Sequence, residues 1–235
     1  MSLLGVFLAS CAKPYYPGDD PSYSPTRHVY REEAVAIAGS YVDHRWIPSP
    51  GNVLHGVDVD GVRVDTPNKG FGSGRGREFG WEVGEVYTGV PYKWGGFDTP
   101  DSFDKKVEAN QPAGDMYTSN KRRLLDNAVS SEAAGIDCSG FISRCWRLSR
   151  SYSTRELPSL CEPLVNFSEL QKGDLVSKFN DHAILFAGWT DSSRTKFFAY
   201  EAGAPPFRKT QTVTYRISFL TKERFQPYRY KGIRD

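Results

Sequence analysis

The most constraining part of this chain is its last third. The segment His182–Trp189 reads His-Ala-Ile-Leu-Phe-Ala-Gly-Trp, a strong strand pattern. A turn at Asp191-Ser192-Ser193 follows, and Lys196 to Glu201 is the return strand. Thr210 to Phe219 and Tyr228 to Ile233 are further candidates, rich in the β-branched and aromatic residues that suit a pleated surface. Leu170-Gln171-Lys172-Gly173-Asp174 turns into a short strand over Leu175 to Ser177. Upstream, the pattern is helical. Ala34, Ile37, Ala38, Tyr41 and Val42 share one face of a helix expected over 29–45, with Glu32 and Glu33 in its first turn. Phe141, Ile142, Cys145 and Trp146 mark another, with Asp137 as a good N-cap. Helices first and antiparallel strands last is the order of an α+β domain.

The rest of the globular region is read around that frame. Val57 to Val64 alternates around Asp60-Gly61, a hairpin signal. Glu78 to Gly89 is expected to hold a short helix. Residues 97–134 are polar and charged, and read as a surface excursion with short helices near Ser102 to Ala109 and Asn120 to Val129. Phe71-Gly72-Ser73-Gly74-Arg75-Gly76 is not a phosphate loop: no strand precedes it, and no Gly-Lys-Ser or Gly-Lys-Thr follows.

Composition removes several function classes. Lys plus Arg is 30 and Asp plus Glu is 28, a net charge of +2 that provides no field for steering nucleic acid. Cys11, Cys138, Cys145 and Cys161 fit no zinc spacing, and no metal or organic cofactor is implied. Cys145 falls two turns after Cys138 on the same helix face and reads as core; Cys161 is its candidate partner for a disulfide. No apolar run approaches the roughly 20 residues that span a bilayer.

The N-terminus stands apart. Leu3 to Ala9 is an apolar run ending in small residues, as in an export signal. Leu8-Ala9-Ser10-Cys11 resembles the lipobox of bacterial lipoproteins, which implies lipidation at Cys11, although no Lys or Arg precedes the run. Residues 12–25 hold four prolines with Gly, Asp and Ser, and read as an extended tether. That leaves 26–235 as one domain.

Candidate chemistry begins at Cys138. A cysteine in the first turn of a helix faces free backbone N–H groups and the positive end of the helix dipole, and both favour thiolate. It needs a base, and the chain offers His28, His44, His55 and His182. His182 opens a strand after a polar turn, where a rigid sheet can present an imidazole. The imidazole needs an orienting acceptor on its other nitrogen. Glu201 lies on the neighbouring strand, and Asn180 and Asp181 are the alternatives. Taken singly, each residue also has an ordinary role: a buried small hydrophobe, a solvated strand end, a partner for Arg208 or Lys209.

Four elements in order resemble the NlpC-type family of papain-like cell-wall cysteine peptidases. They are Tyr92-Lys93-Trp94-Gly95-Gly96, Asp137-Cys138-Ser139-Gly140-Phe141, Gly173-Asp174-Leu175 and His182-Ala183-Ile184, and they span Tyr92 to Gly203. The resemblance implies a papain-like α+β core with a nucleophile helix packed on an antiparallel sheet. It implies hydrolysis of an amide in the peptidoglycan stem peptide, of the γ-D-glutamyl–diamino acid type, in the bacterial envelope. Cys138 would be the nucleophile, His182 the base, and Tyr92 a residue of the oxyanion site, with Trp94, Asp137 and Ser139 beside them. The family's third polar residue is commonly His, Asn or Gln; Glu201 stands at that place here. Competing readings are an N-acetylmuramoyl-L-alanine amidase on the same triad, a non-catalytic wall-binding module, and an acyltransferase using a Cys138 thioester.

Overall fold

A computed structural model of the chain describes residues 28–71, 79–203 and 206–235. The leader, Cys11 and the tether lie outside the described residues, as does most of the Phe71–Gly76 loop. Five α-helices are described: α1 (Arg31–Val42), α2 (Pro100–Glu108), α3 (Ser119–Leu124), α4 (Cys138–Cys145) and α5 (Ile217–Lys222). Six strands form the main sheet: β1 (Cys161–Pro163), β2 (Leu175–Lys178), β3 (His182–Trp189), β4 (Lys196–Ala202), β5 (Thr210–Arg216) and β6 (Gln226–Tyr230). Their order is β5-β4-β3-β2-β6-β1, with every neighbouring pair antiparallel. The α+β organisation with an antiparallel sheet is thus present.

Strand alternation feeds two cores. On one face Leu175, Ala183, Leu185 and Ala202 pack with Ala34, Ala38 and Tyr41 of α1 and Phe141, Ile142 and Cys145 of α4. On the other, Val176, Ile184, Phe186, Phe197 and Ala199 pack with Leu220 of α5 and with Phe225. Successive side chains of a strand point to opposite faces, so each of β2, β3 and β4 contributes to both cores. Between α1 and α4 the Tyr41 and Phe141 rings meet edge to face, with centroids 5.5 Å apart. The Gly173-Asp174 turn proves to be an anchor. Buried Asp174 accepts from Arg31 of α1 at 3.0 Å and from Arg229 of β6 at 2.8 Å.

Several local expectations change. The first helix is shorter than 29–45, because Val29–Tyr30 and Arg45–Trp46 are strands that pair with Ile233–Arg234 and Tyr87–Thr88. The hairpin around Asp60-Gly61 forms, with His55–Val57 against Arg63–Asp65. The described part of the expected 78–89 helix is not helical. Gly80 and Gly84 take φ values of +130° and +84°, which no helix accommodates, and Tyr87–Thr88 is strand. Beyond Arg216 the strand expected to Phe219 gives way to α5. Cys145 and Cys161 are free and buried rather than bonded to each other. Burial pushes both thiols well above the usual cysteine range, and Cys161 Sγ lies 3.2 Å from the Leu157 carbonyl.

The 97–134 segment, expected at the surface, is woven into the first core. Phe103 and Val107, one helical turn apart on α2, are buried there with Ala113 and Ala134. Its second expected helix divides. After α3, Leu125 adopts φ 53° and ψ −125°, which ends the helix before a 3-10 turn over Leu125–Ala128. Lys121 of α3 is buried and donates to Asp115 at 2.7 Å and to the carbonyls of Arg63 at 2.5 Å and Ala128 at 3.3 Å.

Candidate active site

The nucleophile candidate is placed by a capped helix start. Asp137 Oδ1 accepts from the Gly140 amide at 2.5 Å and from Ser139 Oγ at 2.9 Å, so Cys138 is the first helical residue. A first helical residue has no intrahelical acceptor for its N–H. Gly140 fits this site for a steric reason: a Cβ there would lie 2.1 Å from the Gly96 carbonyl oxygen. The same Gly96 carbonyl accepts from the Asp137 amide at 3.2 Å. The Tyr92-to-Gly96 strip and the start of α4 therefore touch backbone to backbone, which brings two of the sequence elements together.

The imidazole is placed by strand register. His182 opens β3, and Glu201 sits opposite Ile184, two residues along the same strand face. Glu201 is thus diagonal to His182, and His182 Nε2 lies 2.7 Å from Glu201 Oε2. With Nε2 committed to Glu201, Nδ1 is the nitrogen left for Cys138, which lines the same cleft. Asn180 and Asp181 turn elsewhere. Asn180 Oδ1 accepts from Arg155 at 2.7 Å, and Asp181 pairs with Lys178 at 3.0 Å. Arg208 and Lys209 leave Glu201 free of competing cations, since Lys209 Nζ donates to the Thr88 carbonyl at 2.6 Å.

Glu201 is fully buried, yet it stays charged. Its Oε2 accepts from Tyr215 Oη at 2.7 Å as well as from His182, and its Oε1 accepts from Gln211 Nε2 at 2.9 Å. Burial pushes this carboxyl up, but the donations of His182, Tyr215 and Gln211 outweigh it and hold it below the usual glutamate range. At His182, burial pushes the pKa down. The hydrogen bonds and negative charges of Cys138 and Glu201 win, raising it to about 10. At neutral pH the ring is therefore an imidazolium paired with the Glu201 carboxylate.

These groups open on a cleft of about 490 Å³. Cys138, His182, Tyr92, Trp94, Asp137 and Ser139 all line it, and Glu201 lies behind His182. Tyr92 is buried, and its hydroxyl has no hydrogen-bond partner among the described residues. Burial first, then the charges of Cys138, Asp137 and Asp115, hold its pKa well above the usual tyrosine value, so it remains a donor. Gly203 takes φ +95° and approaches the Tyr92 ring so closely that a Cβ would lie 2.1 Å from it. Trp94 donates from Nε1 to the Leu125 carbonyl at 3.3 Å, and its ring lies 5.7 Å from that of Tyr117. The 97–134 segment is therefore also a wall of the cleft, through Tyr117, Arg122 and Leu125. Among the described histidines only His182 lines it. His44 bonds Asp104 at 2.7 Å, and His55 stacks on Phe71.

Sequence reasoning missed Gln211 and Tyr215. Both lie on one face of β5, and Gln211 is the direct partner of Glu201 in the β4–β5 register. A Gln and a Tyr four apart on a strand, beside a carboxylate on the preceding strand, were the available signal. No family model, curated protein or solved structure matches the chain. The functional reading consequently rests on the site itself. A thiol, an imidazolium and a satisfied carboxylate in a row, at the head of a helix and in a cleft, can form and hydrolyse a thioester.

Proposed function

We propose that this chain is a papain-like cysteine hydrolase that cleaves an amide in the peptidoglycan stem peptide, at a γ-D-glutamyl–diamino acid bond. The observation that carries the reading is the relay from Cys138 through His182 to a buried Glu201 held by three donors. The wall specificity rests on the four sequence elements that resemble the NlpC-type family, three of which contribute residues to one cleft. Attachment to the bacterial envelope through lipidated Cys11 belongs to the same reading.

The proposed chemistry starts from a thiolate–imidazolium pair. Cys138 Sγ, its proton held by His182, attacks the amide carbon and forms the C–S bond of a tetrahedral adduct. The Cys138 N–H and the Tyr92 hydroxyl donate to the oxyanion. His182 gives its proton to the leaving nitrogen as the C–N bond breaks, leaving a thioester and a free amine. Neutral His182 then takes a proton from water, the hydroxide equivalent attacks the thioester, and the thiolate leaves. The acid is released and the imidazolium restored. Glu201 fixes the ring in the orientation that both halves need, without itself changing protonation.

The test is digestion of defined muropeptides with mass analysis of products. Wild type should release the γ-D-glutamyl product, and Cys138→Ala and His182→Ala should fall to background. Retention of near-full hydrolysis by either variant would refute the reading. Release of free stem peptide from the sugar would make the enzyme an amidase instead.

A further inference from the structure

Arg208 is a charge in the cleft that the relay leaves unused. It sits on the return from β4 to β5 and lines the same cleft as Cys138. Its side-chain partner among the described residues is the Met116 thioether, a weak acceptor that cannot neutralise a guanidinium. Burial lowers its pKa, and no neighbouring carboxylate offsets that effect. Arginine remains charged at any pH a folded protein meets, so a half-buried guanidinium without an anion is poised to gain from one.

The surroundings hold it in that position. Arg208 takes φ 50°, a left-handed conformation uncommon for a long side chain. Its carbonyl accepts from the Tyr92 amide at 2.8 Å, and the Thr210 amide donates to the Val90 carbonyl at 2.8 Å. The segment carrying Arg208 is thus laced to the strip that carries Tyr92. Arg122 and Asp126 also line the cleft, and three of its remaining charges are answered within the protein. Glu156 pairs with Arg150 at 2.9 Å, Asp181 with Lys178 at 3.0 Å, and Asp137 caps α4. Arg155 is exposed and bonded to Asn180.

We propose that Arg208 receives a carboxylate that the substrate carries beside the scissile amide, and so selects peptides with that carboxylate free over their amidated counterparts. The proposal rests on the cleft being the substrate site of the hydrolase described above. Planar, bidentate pairing of guanidinium with carboxylate provides the selectivity, since a carboxamide offers one acceptor and no charge.

The test uses three synthetic γ-glutamyl–diamino acid peptides: one with all carboxylates free, one amidated at the glutamyl α-position and one amidated at the diamino acid. Calorimetry on the Cys138→Ala protein measures binding without turnover. One of the amidated peptides should bind at least about tenfold more weakly than the free one. The difference should shrink to about twofold or less when Arg208→Gln is added, and persist in part with Arg208→Lys. Thermal melting of each variant checks that the fold is kept. Equal binding of all three peptides, no binding of any, or a preference that survives Arg208→Gln would overturn the proposal. Hydrolysis of the same peptides by wild type is read separately. No cleavage alongside the Arg208-dependent preference would sink the reaction and leave the carboxylate site standing.

Discussion

Two ion pairs in this fold involve buried carboxylates, and they are built differently. Lys121 and Asp115 are both enclosed, with side chains 3% and 0% exposed. Lys121 spends its hydrogen bonds on Asp115 and two carbonyls, and Asp115 also accepts from the Asp65 amide. His182 keeps 20% of its side chain exposed, and its second nitrogen faces Cys138. The carboxylates differ as well. At Asp115, burial outweighs the lysine and the amide, and the pKa rises to about 6. At Glu201 three side-chain donors outweigh burial, and the pKa stays low. A pair whose valences are all used by the protein is a fastener. A pair with one valence left towards a cleft is equipped for chemistry. The two are also linked, because Lys121 ties down the 3-10 turn that carries Leu125, a wall of the cleft that His182 faces.

The comparison is broken most sharply at Lys121. Lys121→Met leaves Asp115 buried without its cation and should cost about 3–5 kcal/mol in denaturant unfolding. Activity still present should change in KM more than in kcat, because the wall loosens while the relay stays. Glu201→Gln reverses that pattern. Loss of the carboxylate should lower kcat about a hundredfold with a smaller loss of stability. It should also move the alkaline limb of the pH–rate profile, expected in wild type at about 10 from His182, towards lower pH. The sign on stability follows: a folded pKa raised from 6.5 to about 10 contributes fully below 6.5 and is lost as pH rises through 10. Unfolding free energies at pH 7 and pH 10 should therefore differ less in Glu201→Gln than in wild type. Tyr215→Phe removes one donor of three and should lower kcat about tenfold, with the alkaline limb displaced less than in Glu201→Gln. The smallest effect belongs to Leu125→Gly. Relief of its left-handed backbone should raise stability by up to about 1 kcal/mol, while loss of a cleft-lining side chain raises KM.

The same contrast explains what the sequence disclosed. Strands β2 to β5 are runs rich in β-branched and aromatic residues, and the start of α4 carries its own cap, so these were legible from local pattern. Cys138, His182 and Glu201 were reachable because an α4 N-terminus and two neighbouring strands suffice to bring them together. The fastener was not legible. Lys121 and Asp115 sit in a stretch that is polar by composition, and a charged residue reads as solvated unless its partner is known. Only the fold brings the Arg63 carbonyl, on a hairpin 58 residues upstream, to the lysine. The short helix expected before Gly89 failed because Gly80 and Gly84 need conformations that a periodicity reading does not weigh. Gln211 and Tyr215 escaped because their role depends on the register between β4 and β5, which spacing alone does not fix.

The central claim is that His182, steadied by Glu201, activates Cys138. The most direct measurement is the rate at which iodoacetamide labels Cys138 at pH 7, read by peptide mass mapping in wild type and in His182→Ala. Cys138 should label at least about tenfold faster in wild type than in His182→Ala, with Cys145 and Cys161 silent in the folded protein. Equal rates at Cys138 in the two proteins would contradict it.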